Sequence, residues 1–90
     1  MIYKREYLYS SHALEQMNLR GVSKSMVESI LLKPDQHKER DDLTIFQSIC
    51  TEDTGEPFLV RVFVNEKKVP NLIVTVYKTS KIQKYYESEI

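Results

Sequence analysis

His12, Gln16 and Arg20 recur four residues apart, so in a helix they drift slowly around one side. A histidine titrates near neutral pH and can take or give a proton as general base or acid. An arginine two turns further on can grip a phosphate or carboxylate through its forked guanidinium. The same residues also suit an ordinary helix, with His12 bonding in the first turn and Arg20 facing the negative end of the dipole. A second polar set lies far away in sequence. Arg61, Thr75 and Tyr77 fall among Leu59, Phe63 and Ile73. A charge and two hydroxyls in apolar surroundings can form a small concave site. They can equally form an amphipathic outer face from which Arg61 reaches solvent.

Other chemistries lack their residues. The chain has no H-E-x-x-H, no paired cysteines and no glycine-rich phosphate loop. Asp41-Asp42 and Glu52-Asp53 fall in expected loops, where two carboxylates do not make a hydrolase dyad without fixed geometry. Cys50 is the single cysteine, which excludes an internal disulfide and reads as a small buried hydrophobe at a strand end. His37 sits among Gln36, Lys38 and Glu39 and is expected in solvent. No cofactor and no metal are expected.

The elements that must position these residues are legible in outline. Ser10 or Ser11 can cap a helix to about Leu19, with Ala13, Leu14 and Met17 on its apolar stripe and Gly21 after its last turn. Ser23 can cap a second helix, with Met26, Val27, Ile30 and Leu31 inward and Pro34 as its stop. The short link predicts a tight helical hairpin. Gln36–Arg40 reads as a short polar strand, followed by strands over Leu43–Cys50, Phe58–Asn65 and Asn71–Thr79. The connections are short, so the strands form an antiparallel meander. The expected fold is α+β: an N-terminal helical hairpin on a three- to four-stranded antiparallel sheet. Alternation puts Phe58, Val60, Val62 and Val64 on one face of the third strand, and Leu72, Val74 and Val76 on one face of the last. Those apolar faces belong against the helices. The polar end of the chain is expected to hold one helical turn around Lys84-Tyr85-Tyr86.

Composition bounds the rest. Ninety residues with 41% apolar and 29% charged side chains suit one globular domain spanning 1–90. No apolar run approaches the roughly 20 residues of a membrane span, and the N-terminal segment lacks a signal-peptide core. A cytoplasmic protein is expected. Thirteen basic and thirteen acidic residues cancel overall, yet Lys67–Tyr86 carries five lysines and no acid. Such a segment can track a phosphate backbone, or serve as a solvated edge that resists aggregation.

Ser10 to Ser23, S-S-H-A-L-E-Q-M-N-L-R-G-V-S, resembles the opening of the domain-of-unknown-function family numbered 4258, whose pattern is roughly S-x-H-A-x-x-R-M-x-x-R-G-I-[ST]. Lys33-Pro34-Asp35 and Val74-Thr75-Val76-Tyr77-Lys78 match later parts of the same pattern, and Gln16 stands where it has arginine. These domains are similar to the barnase–EndoU–colicin–RelE group, whose members are metal-independent ribonucleases and often toxins of toxin–antitoxin pairs. The resemblance implies that His12, Arg20, Arg61, Thr75 and Tyr77 share one site. It implies a small RelE-like endoribonuclease in which a ribose 2′-OH attacks the adjacent phosphate. His12 would be the acid or base, and Arg20 and Arg61 would neutralise the phosphorane. Tyr77 would donate a hydrogen bond or stack a base and Thr75 would hydrogen-bond the phosphate, while Lys78, Lys81 and Lys84 would hold the RNA. An antitoxin protein would be its partner. The rival expectation is a non-catalytic protein-interaction module of the same fold.

Overall fold

A computed structural model describes residues 6–86. Its elements run β1 (Tyr7–Tyr9), α1 (Ser11–Arg20), α2 (Lys24–Leu32), β2 (Gln36–Arg40), β3 (Leu43–Thr51), β4 (Pro57–Asn65), β5 (Asn71–Thr79) and α3 (Ile82–Tyr85).

Both long helices start where their serines allow. The Ser10 hydroxyl accepts from the Ala13 amide at 2.9 Å, and the Ser23 hydroxyl accepts from the Met26 amide at 3.1 Å. Each thereby satisfies one of the donors that a helix start leaves unpaired. Gly21 ends α1 in the left-handed region (φ 68°), which costs glycine no Cβ clash. Val22 is buried between the two helices and anchors the link.

The sheet corrects the expected architecture. It has five strands among the described residues, ordered β1-β5-β4-β3-β2, and it is mixed. β2, β3, β4 and β5 form the antiparallel meander, but β1 pairs parallel to β5, with Leu8 opposite Leu72. Three residues, Tyr-Leu-Tyr, are too few to display a period of two, so the strand does not announce itself in sequence. The helices do not make a hairpin packed chiefly on itself. α1 packs on β5, and α2 packs on β3 and β4. The cause is the direction of their apolar stripes. Ala13 and Met17 on α1, and Val27, Ile30 and Leu31 on α2, all join the core against Phe58, Val60, Val62 and Val64. Leu14, expected in that core, is 42% exposed because it lies off the Ala13–Met17 line.

β5 departs from simple alternation. Val62 pairs with Val76 and Phe63 with Thr75, but Val64 pairs with Ile73, leaving Val74 as an extra residue. The bulge turns Ile73 inward beside Val76, so these two, rather than Leu72 and Val74, enter the core. The carbonyl of Val74 accepts from the Ser10 hydroxyl at 2.7 Å. One serine therefore caps α1 and ties its start to β5.

On the face away from α1 and α2, residues line up in rows across the sheet. Gln36 pairs with Gln47, Gln47 with Arg61, and Arg61 with Tyr77. The chain leaving β5 folds α3 over this row. No described helix is long and apolar enough to cross a membrane.

Candidate functional site

α1 runs in the same direction as β5. Ser10, before its first turn, bonds to Val74, and Arg20, at its end, donates from Nη1 to the Lys78 carbonyl at 3.1 Å. β1 covers β5 only as far as Ile73. Beyond it, α1 side chains serve the strand edge instead. Arg20 reaches round this edge, and its guanidinium stands 5.0 Å from the Tyr77 ring centre. Its Nε donates to Gln16 Oε1 at 3.1 Å. Gln16 thus orients Arg20 as an uncharged acceptor; an arginine there would repel it.

Arg61 sits in the row beneath. It is 4% exposed, and its Nε donates to Gln47 Oε1 at 2.9 Å. Gln47, 1% exposed, donates from Nε2 to Gln36 Oε1 at 2.8 Å and to the Tyr85 carbonyl at 3.2 Å. The Arg61 guanidinium lies 4.4 Å from the Tyr85 ring centre and 5.3 Å from that of Phe63. Tyr85 meets Tyr77 edge-on, with centres 5.8 Å apart. The result is one continuous array: Arg20, Tyr77, Tyr85, Arg61. Lys84 adds a further cation 5.5 Å from the Tyr85 ring.

Electrostatics follow from this crowding. The Tyr77 phenol is held below its ordinary value, first by side-chain hydrogen bonding to Tyr85 and Thr79, then by the positive charges of Arg20 and Lys84. Burial pulls Arg61 below its ordinary value while the two tyrosines oppose the change. An arginine nevertheless stays charged throughout. Burial and the nearby Asp35 charge push the Cys50 thiol up, with Lys78 opposing, so it is a poor nucleophile at neutral pH.

Arg20, Arg61 and Tyr77 therefore come together, while two of the expected residues stand apart. His12 is exposed on the first turn of α1, and at 1.5 Å per residue it lies about 12 Å along the axis from Arg20. Thr75 shares the outer face with Tyr77, one row away beside Phe63. The three lysines do not form a line. Lys78 pairs with Val60, stands 4.4 Å from the Phe58 ring centre on the helix side, and is held by Glu52 at 3.1 Å. Lys81 is exposed in the turn before α3, and Lys84 alone borders the array. Beside Lys78 lies an open hollow of about 340 Å³, bounded by Arg20, Glu52, Glu56 and Phe58. Its two glutamates offset its two cations. His37 is exposed, as expected, and stacks on Phe46.

Gln47 and Tyr85 belong to the array but carry no motif. The mixed pattern of β3, which sets a glutamine among Ile45, Phe46 and Ile49, was the available signal for Gln47. Nothing local distinguishes Tyr85 from Tyr86.

The family model for a domain of unknown function (DUF4258) matches residues 9–78, which hold every residue of this array except Lys84 and Tyr85. No curated protein and no solved structure matches the chain.

Proposed function

The chain belongs to the DUF4258 family, and from the chemistry of its site we propose that it is a small metal-independent endoribonuclease acting on single-stranded RNA. The observation that carries this reading is the array in which Arg20 stands over Tyr77, a tyrosine of lowered phenol pKa, and Arg61 stands over its neighbour Tyr85. Attack of a ribose 2′-OH on its own phosphate needs a proton acceptor, a proton donor and positive charge around the phosphorane. Arg20 and Arg61 supply the charge. Tyr77, whose proton leaves more readily than an ordinary phenol's, serves as acceptor. The leaving 5′ oxygen takes its proton from water, because His12 stands about 12 Å along α1 from Arg20 and outside the array. Aromatic rings beside cations are also the usual platform for unpaired bases. The resemblance to toxins of the RelE-like type adds a protein antitoxin as the expected partner.

A second reading, a non-catalytic module that binds a protein, draws on one observation. Arg61 is covered, and an arginine that never meets solvent neutralises no substrate.

Purified chain incubated with single-stranded RNA in chelator separates the two. The nuclease reading expects fragments ending in 2′,3′-cyclic phosphate, with a rate loss of about 10²–10⁴-fold in Tyr77→Phe and little change in His12→Ala. Intact RNA at high protein concentration would leave the binding module as the better reading.

A further inference from the structure

Arg61 and Gln47 are the most deeply buried polar pair on the outer sheet face, at 4% and 1% exposure. Among the described residues no carboxylate forms an ion pair with Arg61. The described residue that covers this buried cation is Tyr85. Its ring covers the guanidinium at 4.4 Å, its carbonyl accepts from Gln47 Nε2 at 3.2 Å, and its edge meets Tyr77. Yet the element that carries Tyr85 is weakly held. α3 has four residues, no buried residue and no side-chain cap, and a single turn gains little from its own hydrogen bonds.

We propose that Arg61, Gln47 and Tyr77 form a nucleobase site for single-stranded RNA, and that Tyr85 fills this site from within the chain. The proposal rests on the RNA reading above and names what its buried arginine is for. A base offers what Tyr85 offers: a flat π face for the guanidinium, a carbonyl oxygen or ring-nitrogen acceptor for the glutamine amide, and an edge for the neighbouring tyrosine. Exchanging one for the other leaves neither Arg61 nor Gln47 unsatisfied at the end of the swap. The covered state of Arg61 then becomes a closed state of the site. Apparent affinity for RNA falls by the fraction of molecules in which the site is open.

The test uses the full chain, wild type and Tyr85→Ala, with two labelled probes: a short single-stranded RNA and an abasic ribose-phosphate strand of equal length. Fluorescence anisotropy reads binding, and phenylglyoxal modification followed by mass spectrometry reads access to Arg61. Tyr85→Ala is expected to bind the RNA at least about fivefold tighter, because removing the plug removes the closed fraction. It should bind the abasic strand as wild type does. Arg61 should react slowly in wild type, quickly in Tyr85→Ala, and slowly again once RNA is added. Tyr85→Phe, which keeps the ring, should stay closed. Should Tyr85→Ala lose its fold, Tyr85→Ser, which also removes the ring that covers Arg61, is read in the same way. Equal affinity for both strands in both proteins overturns the base site and leaves RNA binding standing. Weaker RNA binding by Tyr85→Ala overturns the plug and makes Tyr85 a stacking platform. No binding of either strand by either protein overturns the RNA reading and the base site together.

Discussion

The Tyr77 phenol ionises early because its phenolate is hydrogen-bonded and stands among cations. Tyr85 is the largest cause, so Tyr85→Phe should move Tyr77 back toward the ordinary value, and Arg20→Ala should move it less. Ultraviolet titration of the single variants reads both shifts; an unchanged Tyr77 transition in Tyr85→Phe would remove the hydrogen bond from the account. Cleavage at limiting RNA, which reports the free protein with Tyr85 in place, should accordingly rise with pH through the lowered Tyr77 pKa, since an acceptor works only once its proton has left. Cys50 runs the other way. Its thiol is pushed up, so iodoacetamide should alkylate it more slowly than a free cysteine at neutral pH. The buried thiolate is penalised, so the folded state should lose ground as pH climbs past the ordinary thiol value. At this scale the sequence exposes His12 and Arg20 by spacing alone. It cannot show that Arg20 wraps an edge to reach Tyr77 while His12 stays at the far end of the helix.

Ser10 carries two elements at once, accepting from the Ala13 amide and donating to the Val74 carbonyl. Ser10→Ala removes both bonds and should cost about 1–3 kcal/mol, measured by urea unfolding. Gly21→Ala meets no neighbour within 4 Å, so its cost of about 1 kcal/mol comes from the left-handed backbone alone. Helix limits were readable because caps and stops are local chemistry: Ser10, Ser23, Gly21 and Pro34 act on residues within four positions. β1 and the bulge at Val74 were not, because both are decided by partners across the sheet. A strand of three residues has no pattern, and the register of β5 depends on where β4 places Val64.

The molecule as a whole tests that register. Ile73 is fully buried, whereas Leu72 and Val74 are half-buried. Ile73→Ala should cost about 2–5 kcal/mol through the cavity it leaves, a large share of a small domain's stability. Val74→Ala should cost distinctly less. Equal losses from thermal or urea unfolding would restore simple alternation along β5. The two sheet faces were legible as apolar and mixed, and so was the identity of the β4 core residues. The covering of the mixed face was not, because α3 is too short and too polar to signal where it docks.

The pairing of β1 with β5 joins residue 7 to residue 71, and this has a consequence for a chain made from its N-terminus onward. β1 and α1 emerge from the ribosome before β5, the strand on which both rest. Until then Ala13 and Met17 have no sheet to cover them. Closure over so many residues also carries its full loop entropy before any of these contacts form. The native site, whose Arg20 reaches Lys78, is therefore assembled only after β5 has emerged. A nascent chain still on the ribosome carries α1 but no working site.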